Sequence, residues 1–170
     1  MQVTVEGKSV SLVGNPPEIG TQLPKFKLWD KDDQKVKTAN LLGTLTLISV
    51  VPDINTSVCT MQTRKFNQQA DHFPGAHFIT VSTNTIAEQA GWCAAQGVQN
   101  LDVLSDADES FGYAMELLIP DTGTLARSVW IVDANGQIVY RQIVPEEVDE
   151  PNYLDALNEL EKLTSRVDDN

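Results

Sequence analysis

The stretch Thr44–Val51, TLTLISVV, constrains the fold more than any other part of this chain. It is rich in Thr, Val, Ile and Leu, almost continuously apolar, and stopped by Pro52. Unbroken apolarity, where an exposed strand would alternate, fits a central strand buried on both faces. A loop from Pro52 to Ser57 follows, and a helical pattern then runs from about Val58 to Ala70.

The rest of the chain can be arranged around that strand–loop–helix unit. Val3, Val5, Val10 and Leu12 flank Glu6-Gly7-Lys8 and predict a short N-terminal β-hairpin. Phe26–Trp29 reads as a strand and Asp30–Asp33 as a turn. His77–Ser82 is a second buried strand, Thr85–Gln96 a helix, Asp102–Ser105 a short strand, and Ser110–Leu117 a helical turn or two. Strands at Arg127–Val132 and Gln137–Val144 flank Asp133-Ala134-Asn135-Gly136, whose Asn-Gly marks a hairpin. A final helix opens near Pro151, with Leu154, Leu157, Leu160 and Leu163 expected on one face. Alternating strands and helices that end in an antiparallel pair predict an α/β fold, a mixed central sheet flanked by helices. A thioredoxin-like fold has this order. With no internal repeat and no linker, residues 1–170 are expected to form a single domain, disordered only at Asp168–Asn170.

The balance of 12 Lys+Arg against 24 Asp+Glu gives a formal charge of −12. Such a surface repels a phosphate backbone or an anionic membrane, so neither nucleic acid nor membrane is an expected partner. The N-terminus alternates and lacks a basic start followed by an apolar run, and no apolar stretch is long enough to span a bilayer. A soluble, cytoplasmic protein is expected. Two cysteines are too few for a disulfide framework, and in a reducing compartment a bond between them would be transient and catalytic.

Cys59 falls just after the buried strand and its Pro-started loop, at the first turn of a helix. The first backbone N–H groups of a helix have no intrahelical acceptor and favour an anion placed there, which suits a nucleophilic thiolate. Thr56, three residues earlier, can hydrogen-bond the sulfur or a substrate oxygen. By position alone Cys59 could equally be an inert buried thiol. A thioredoxin-type reductase would need C-x-x-C, but Thr56 and Gln62 stand where a second cysteine would be. His72 and His77 follow Cys59 with the spacing of half a zinc site, yet no C-x2–4-C precedes them, and no metal is expected.

Pro52-Asp53-Ile54-Asn55-Thr56-Ser57-Val58-Cys59 fits the P-x-x-x-T-x-x-C signature of peroxiredoxins. The longer run VPDINTSVCTMQTRKFN, the region of Cys93 and Leu125–Trp130 are similar to the thiol peroxidase branch, the atypical two-cysteine subfamily. The resemblance covers nearly the whole chain. It implies a peroxiredoxin-type thioredoxin fold and a peroxidase acting on hydrogen peroxide and organic hydroperoxides without metal or organic cofactor. Cys59 would be the peroxidatic cysteine and Cys93 the resolving cysteine, the two forming an intrachain disulfide. Thr56 would bond peroxide and thiolate, Pro52 would shield the sulfur, and Arg127 would hold the thiolate and polarise the peroxide. Thioredoxin would be the reductant and a homodimer the assembly. Asn55, where an acidic residue is usual, and Gly91, where Arg is usual, depart from the pattern. A peroxide-sensing relay that uses the same cysteine pair is the alternative function.

Overall fold

The computed structural model describes residues 1–168, with the side chains of 93–96 and 166–168 outside the described residues. β1 (Gln2–Val5) and β2 (Lys8–Ser11) form the expected N-terminal hairpin. Its turn is two residues long, Glu6 and Gly7, at φ 50° and 83°, the left-handed pair that matches strand twist. β3 (Lys27–Trp29) and β4 (Lys35–Lys37) pair across the Asp30–Asp33 turn. β4 is only Lys-Val-Lys, too short and too charged to stand out from a loop in the sequence.

The core unit comes next: β5 (Leu45–Val50), α1 (Ser57–Ala70), β6 (Ala76–Ser82), α2 (Ile86–Gln96) and β7 (Asp102–Ser105). α3 (Ser110–Ala114) is shorter than expected, because the chain turns into a miniature hairpin, β8 (Leu118–Ile119) with β9 (Thr124–Leu125). β10 (Ser128–Val132), β11 (Ile138–Ile143) and α4 (Tyr153–Asp168) complete the chain. Asp168, expected in a disordered tail, is the last residue of α4; 169–170 lie outside the described residues. The β10–β11 turn requires glycine at Gly136. Its φ is +85°, and a Cβ there would come within 2.7 Å of Gln22 Nε2 and Leu42 Cδ2.

The seven-stranded sheet has the order β11-β10-β5-β6-β7-β3-β4. β5, β6 and β7 are parallel, and the strands on either side join antiparallel, giving the mixed sheet expected. β5 is interior, and every residue from Thr46 to Val50 is buried. Ile48 and Val50 face one core with Trp130, Ile79 and Phe111. Leu47 faces the other with Val129, Ile131, Phe66 of α1, and Ala156 and Leu160 of α4. Two-sided burial, at about 1.5–3 kcal/mol for each large aliphatic side chain, is why the run could not alternate.

The expectation for α4 needs correcting. Leu160 is buried, and Leu157 and Leu163 pack beside it, but Leu154 is 72% exposed. Steps of three residues each rotate about 60° short of a full turn, so four such leucines spread around half the helix. The buried stripe follows mixed three- and four-residue steps through Tyr153, Ala156, Leu157, Leu160 and Leu163. Among the described residues no helix is long and apolar enough to cross a membrane.

Candidate functional site

The loop leaving β5 is pinned before α1 begins. Asn84 Oδ1 accepts from Ile54 N at 3.1 Å, and its Nδ2 donates to Asp53 Oδ1 at 3.1 Å. Thr56 is the N-cap residue of α1, with extended backbone at φ −89° and ψ 152°. Its Oγ1 accepts from Cys59 N at 3.4 Å and donates to the Asp53 carbonyl at 3.0 Å, so this hydroxyl ties the loop to the helix end. Cys59 is the third residue of α1, inside the turn where backbone donors and the helix dipole favour negative charge. Pro52 is half-buried and begins the loop.

Cys59 is fully buried and in contact with a buried cation. Arg127, immediately before β10, is 2% exposed. Its Nη2 donates to Cys59 Sγ at 3.3 Å, its Nη1 to Gln62 Oε1 at 2.9 Å, and its Nε to the Glu147 carbonyl at 2.8 Å. All three guanidinium nitrogens are thus engaged, as a buried charge requires if it is not to cost several kcal/mol. Gln62 Nε2 in turn donates to Ser49 Oγ on β5 at 2.8 Å. The guanidinium is aimed at the sulfur by groups on β5, α1 and the segment before α4. A fixed cation of this kind stabilises negative charge on sulfur without reorganising.

Of the residues singled out in the sequence, Cys59, Thr56 and Arg127 come together around one helix turn. Cys93 lies on α2, and its side chain is outside the described residues. Its neighbour Trp92 packs with Cys59, Val51 and Ile54, and Trp92 Nε1 donates to Thr60 Oγ1 at 3.3 Å, so α2 runs beside the start of α1. His77 pairs with Asp102 at 2.6 Å on the neighbouring strand. Two wider clefts, of about 720 Å³ beside α2 and about 530 Å³ between α1 and α4, are not lined by Cys59.

Two members of the site escaped the sequence reading, Gln62 and Glu147. Gln62 carried a signal, since it lies three residues after Cys59 and therefore on the same helix face. Glu147 carried none. It is buried at 5% exposure, and its Oε1 accepts from Arg127 N at 2.9 Å. Burial pushes its carboxyl up to about 7, against the Arg127 N–H and guanidinium charge, which pull it down. Burial, with a hydrogen bond to Glu150, also raises the phenol of Tyr153.

The AhpC/TSA family model matches residues 19–141. The chain is 42% identical to the thiol peroxidase of Listeria innocua, over 95% of this chain and 98% of that one. It is 39% identical to the thiol peroxidase of Bacillus subtilis, over 89% and 92% of the two chains. A solved peroxiredoxin-like protein from Aquifex aeolicus superposes with a TM-score of 0.86 at 32% identity, covering 95% of this chain and 96% of that one. A thiol peroxidase structure from Chromobacterium violaceum, at 19% identity and a TM-score of 0.85 over 97% of this chain and 98% of that one, shares the fold. With the cysteine-bearing helix turn and a family match across most of its length, this chain belongs to the AhpC/TSA family and is a peroxiredoxin-type peroxidase.

Proposed function

We propose that Cys59 is the peroxidatic nucleophile of a thioredoxin-dependent thiol peroxidase in which Cys93 resolves the oxidised sulfur. The observation that carries the reading is the 3.3 Å approach of Arg127 Nη2 to Cys59 Sγ in the first turn of α1. The Cys59 thiolate attacks one peroxide oxygen, an S–O bond forms as the O–O bond breaks, and the departing alkoxide or hydroxide takes a proton. Arg127 stabilises the charge as it passes from sulfur to oxygen. Thr56 offers its hydroxyl to the peroxide, and Pro52 keeps water from the sulfur. The Cys59 sulfenic acid then condenses with the Cys93 thiol, losing water and forming an intrachain disulfide, which spares Cys59 from irreversible over-oxidation. A reduced thioredoxin returns both sulfurs to thiols.

Hydrogen peroxide and organic hydroperoxides are the substrates in this scheme. The chain acts as one domain spanning residues 1–170, within a homodimer in the cytoplasm. The test is mass spectrometry with peptide mapping after one equivalent of hydrogen peroxide is added to reduced protein. The expected product is a complete Cys59–Cys93 intrachain disulfide. Sulfenic acid at Cys59 with free Cys93 would assign resolution to an outside thiol, and unreacted cysteines would overturn the reading. Sustained turnover with a thioredoxin system separates a peroxidase from a peroxide-sensing relay built on the same pair.

A further inference from the structure

Glu147 stands in the segment between β11 and α4 and grips Arg127 twice. Its Oε1 accepts from the Arg127 backbone N at 2.9 Å, and its carbonyl accepts from Arg127 Nε at 2.8 Å. The Arg127 carbonyl also accepts from Val144 N at 3.0 Å, so main chain and side chain of the arginine are both fixed to residues 144–147. Glu147 Oε2 is buried with no hydrogen-bond partner among the described residues. A buried carboxyl that satisfies only one backbone N–H is a poor device for stability. Taking the group out of water costs more than the single hydrogen bond it makes returns. Its place beside the reacting cysteine's cation accounts for it better.

The segment is itself anchored from the other end of the sequence. Glu147 N donates to the Thr4 carbonyl at 2.8 Å, and Thr4 N donates to the Pro145 carbonyl at 2.8 Å. Glu146 accepts from Thr4 Oγ1, Glu6 N and Gly7 N at 3.0, 3.1 and 2.7 Å, so the turn of the N-terminal hairpin is tied to the same loop. A continuous hydrogen-bonded path runs from the hairpin through Glu147 to Arg127 and Cys59.

We propose that Glu147 is a positioning residue for Arg127, its two-point grip setting the guanidinium against the Cys59 sulfur, with the N-terminal hairpin as its brace. The inference rests on the reading of Cys59 as the nucleophile and Arg127 as its partner. It is tested by the second-order rate of hydrogen peroxide reduction, followed by tryptophan fluorescence, in Glu147→Leu, Glu147→Gln, Arg127→Met and the Glu147→Leu/Arg127→Met double variant.

Folded Glu147→Leu is expected to lose on the order of tenfold or more in rate, as small misplacements of a catalytic group do. Glu147→Gln, which keeps an acceptor for the Arg127 N–H, should recover to within about threefold of the unsubstituted protein. The double variant should be no more than about twofold slower than Arg127→Met alone, since Glu147 acts through the arginine. A folded Glu147→Leu as fast as the unsubstituted protein would overturn the proposal, and so would losses that multiply in the double variant. If Glu147→Leu does not fold, Glu147→Asp, whose carboxylate is one methylene short of the Arg127 N–H, takes its place with the same expected loss and the same overturning result. Peroxide that leaves Cys59 untouched in the unsubstituted protein would instead overturn the functional reading, and this inference with it.

Discussion

Gln62 accepts a 2.9 Å hydrogen bond from Arg127 Nη1, and on its other side it donates to Ser49 on β5, so the guanidinium is referenced to a buried interior strand of the sheet. Replacing it by leucine keeps the volume and leaves Nη1 unsatisfied in a dry site. Gln62→Leu is expected to cost about 1–3 kcal/mol of stability and on the order of tenfold in the rate of peroxide reduction. Urea unfolding and stopped-flow fluorescence read the two effects separately. A variant with an unchanged rate would show that Arg127 holds its aim without this partner.

Thr56 makes a second separable prediction. Its hydroxyl caps α1, and Thr56→Val removes it with almost no change in shape. About 1 kcal/mol of stability should be lost with the cap, while Thr56→Ser should retain both cap and reactivity. Peroxide reduction by the valine variant should fall by more than this stability loss alone would produce. Equal rates for the serine and valine variants would show that the hydroxyl does nothing beyond capping.

What the sequence made legible depends on how local the determining physics is. The apolar run Thr44–Val51, the Pro52 stop and the helix after it follow from nearest neighbours, and they place Cys59 at a helix start without reference to the rest of the chain. The Glu6-Gly7 turn is likewise decided by two residues, whereas the turn at Asn135-Gly136 also needs Asp133, whose Oδ1 accepts from Asn135 N and Gln137 N at 2.9 Å. The β8–β9 hairpin is two residues a side, below any periodicity that a pattern can reveal. Leu154 was misplaced because a regular three-residue spacing resembles a helical stripe over one turn and drifts off it over three. Glu147 was illegible for a deeper reason. Its partner is 20 positions away, and only the return of β11 beside β10 brings them together.

The two buried carboxyls with raised pKa values predict how stability depends on pH. Burial pushes Asp106 up to about 7, although the N–H groups of Phe111 and Gly112 pull the other way, and it pushes Glu147 up to about 7 as well. Each native value lies above that of the unfolded chain, near ~4. The native state therefore binds more protons in this window, and their contribution is full below about pH 4 and lost as pH rises through about 7. Asp102 behaves oppositely. Its hydrogen bond to His77 lowers its pKa, so its contribution is present above the unfolded value and lost only in stronger acid. Melting temperature should fall between about pH 5 and about pH 8, and Asp106→Asn should start lower and fall less. An identical slope in the variant would mean that Asp106 is ionised throughout that range.

Cys59 and Cys93 lie 34 positions apart on different helices. Cys59 is fully buried, its carbonyl accepts from Thr63 Oγ1 at 3.0 Å, and its N–H is held by the Thr56 cap. A disulfide needs its Cα atoms within about 7 Å and its Cβ vectors converging. Forming one from a cysteine so enclosed is expected to unwind the first turn of α1, the end of α2, or both. Hydrogen exchange should therefore quicken in the oxidised protein at Ser57–Thr60 and around Trp92, and remain unchanged in β5 and β6. Cys59→Ser should abolish peroxidase activity. Cys93→Ser should allow one oxidation and then stall with thioredoxin, and its exchange pattern should stay that of the reduced protein. Matching exchange in the reduced and disulfide forms of the unsubstituted protein would show that the two sulfurs meet without unwinding, and that the native packing around Cys59 is not what limits resolution.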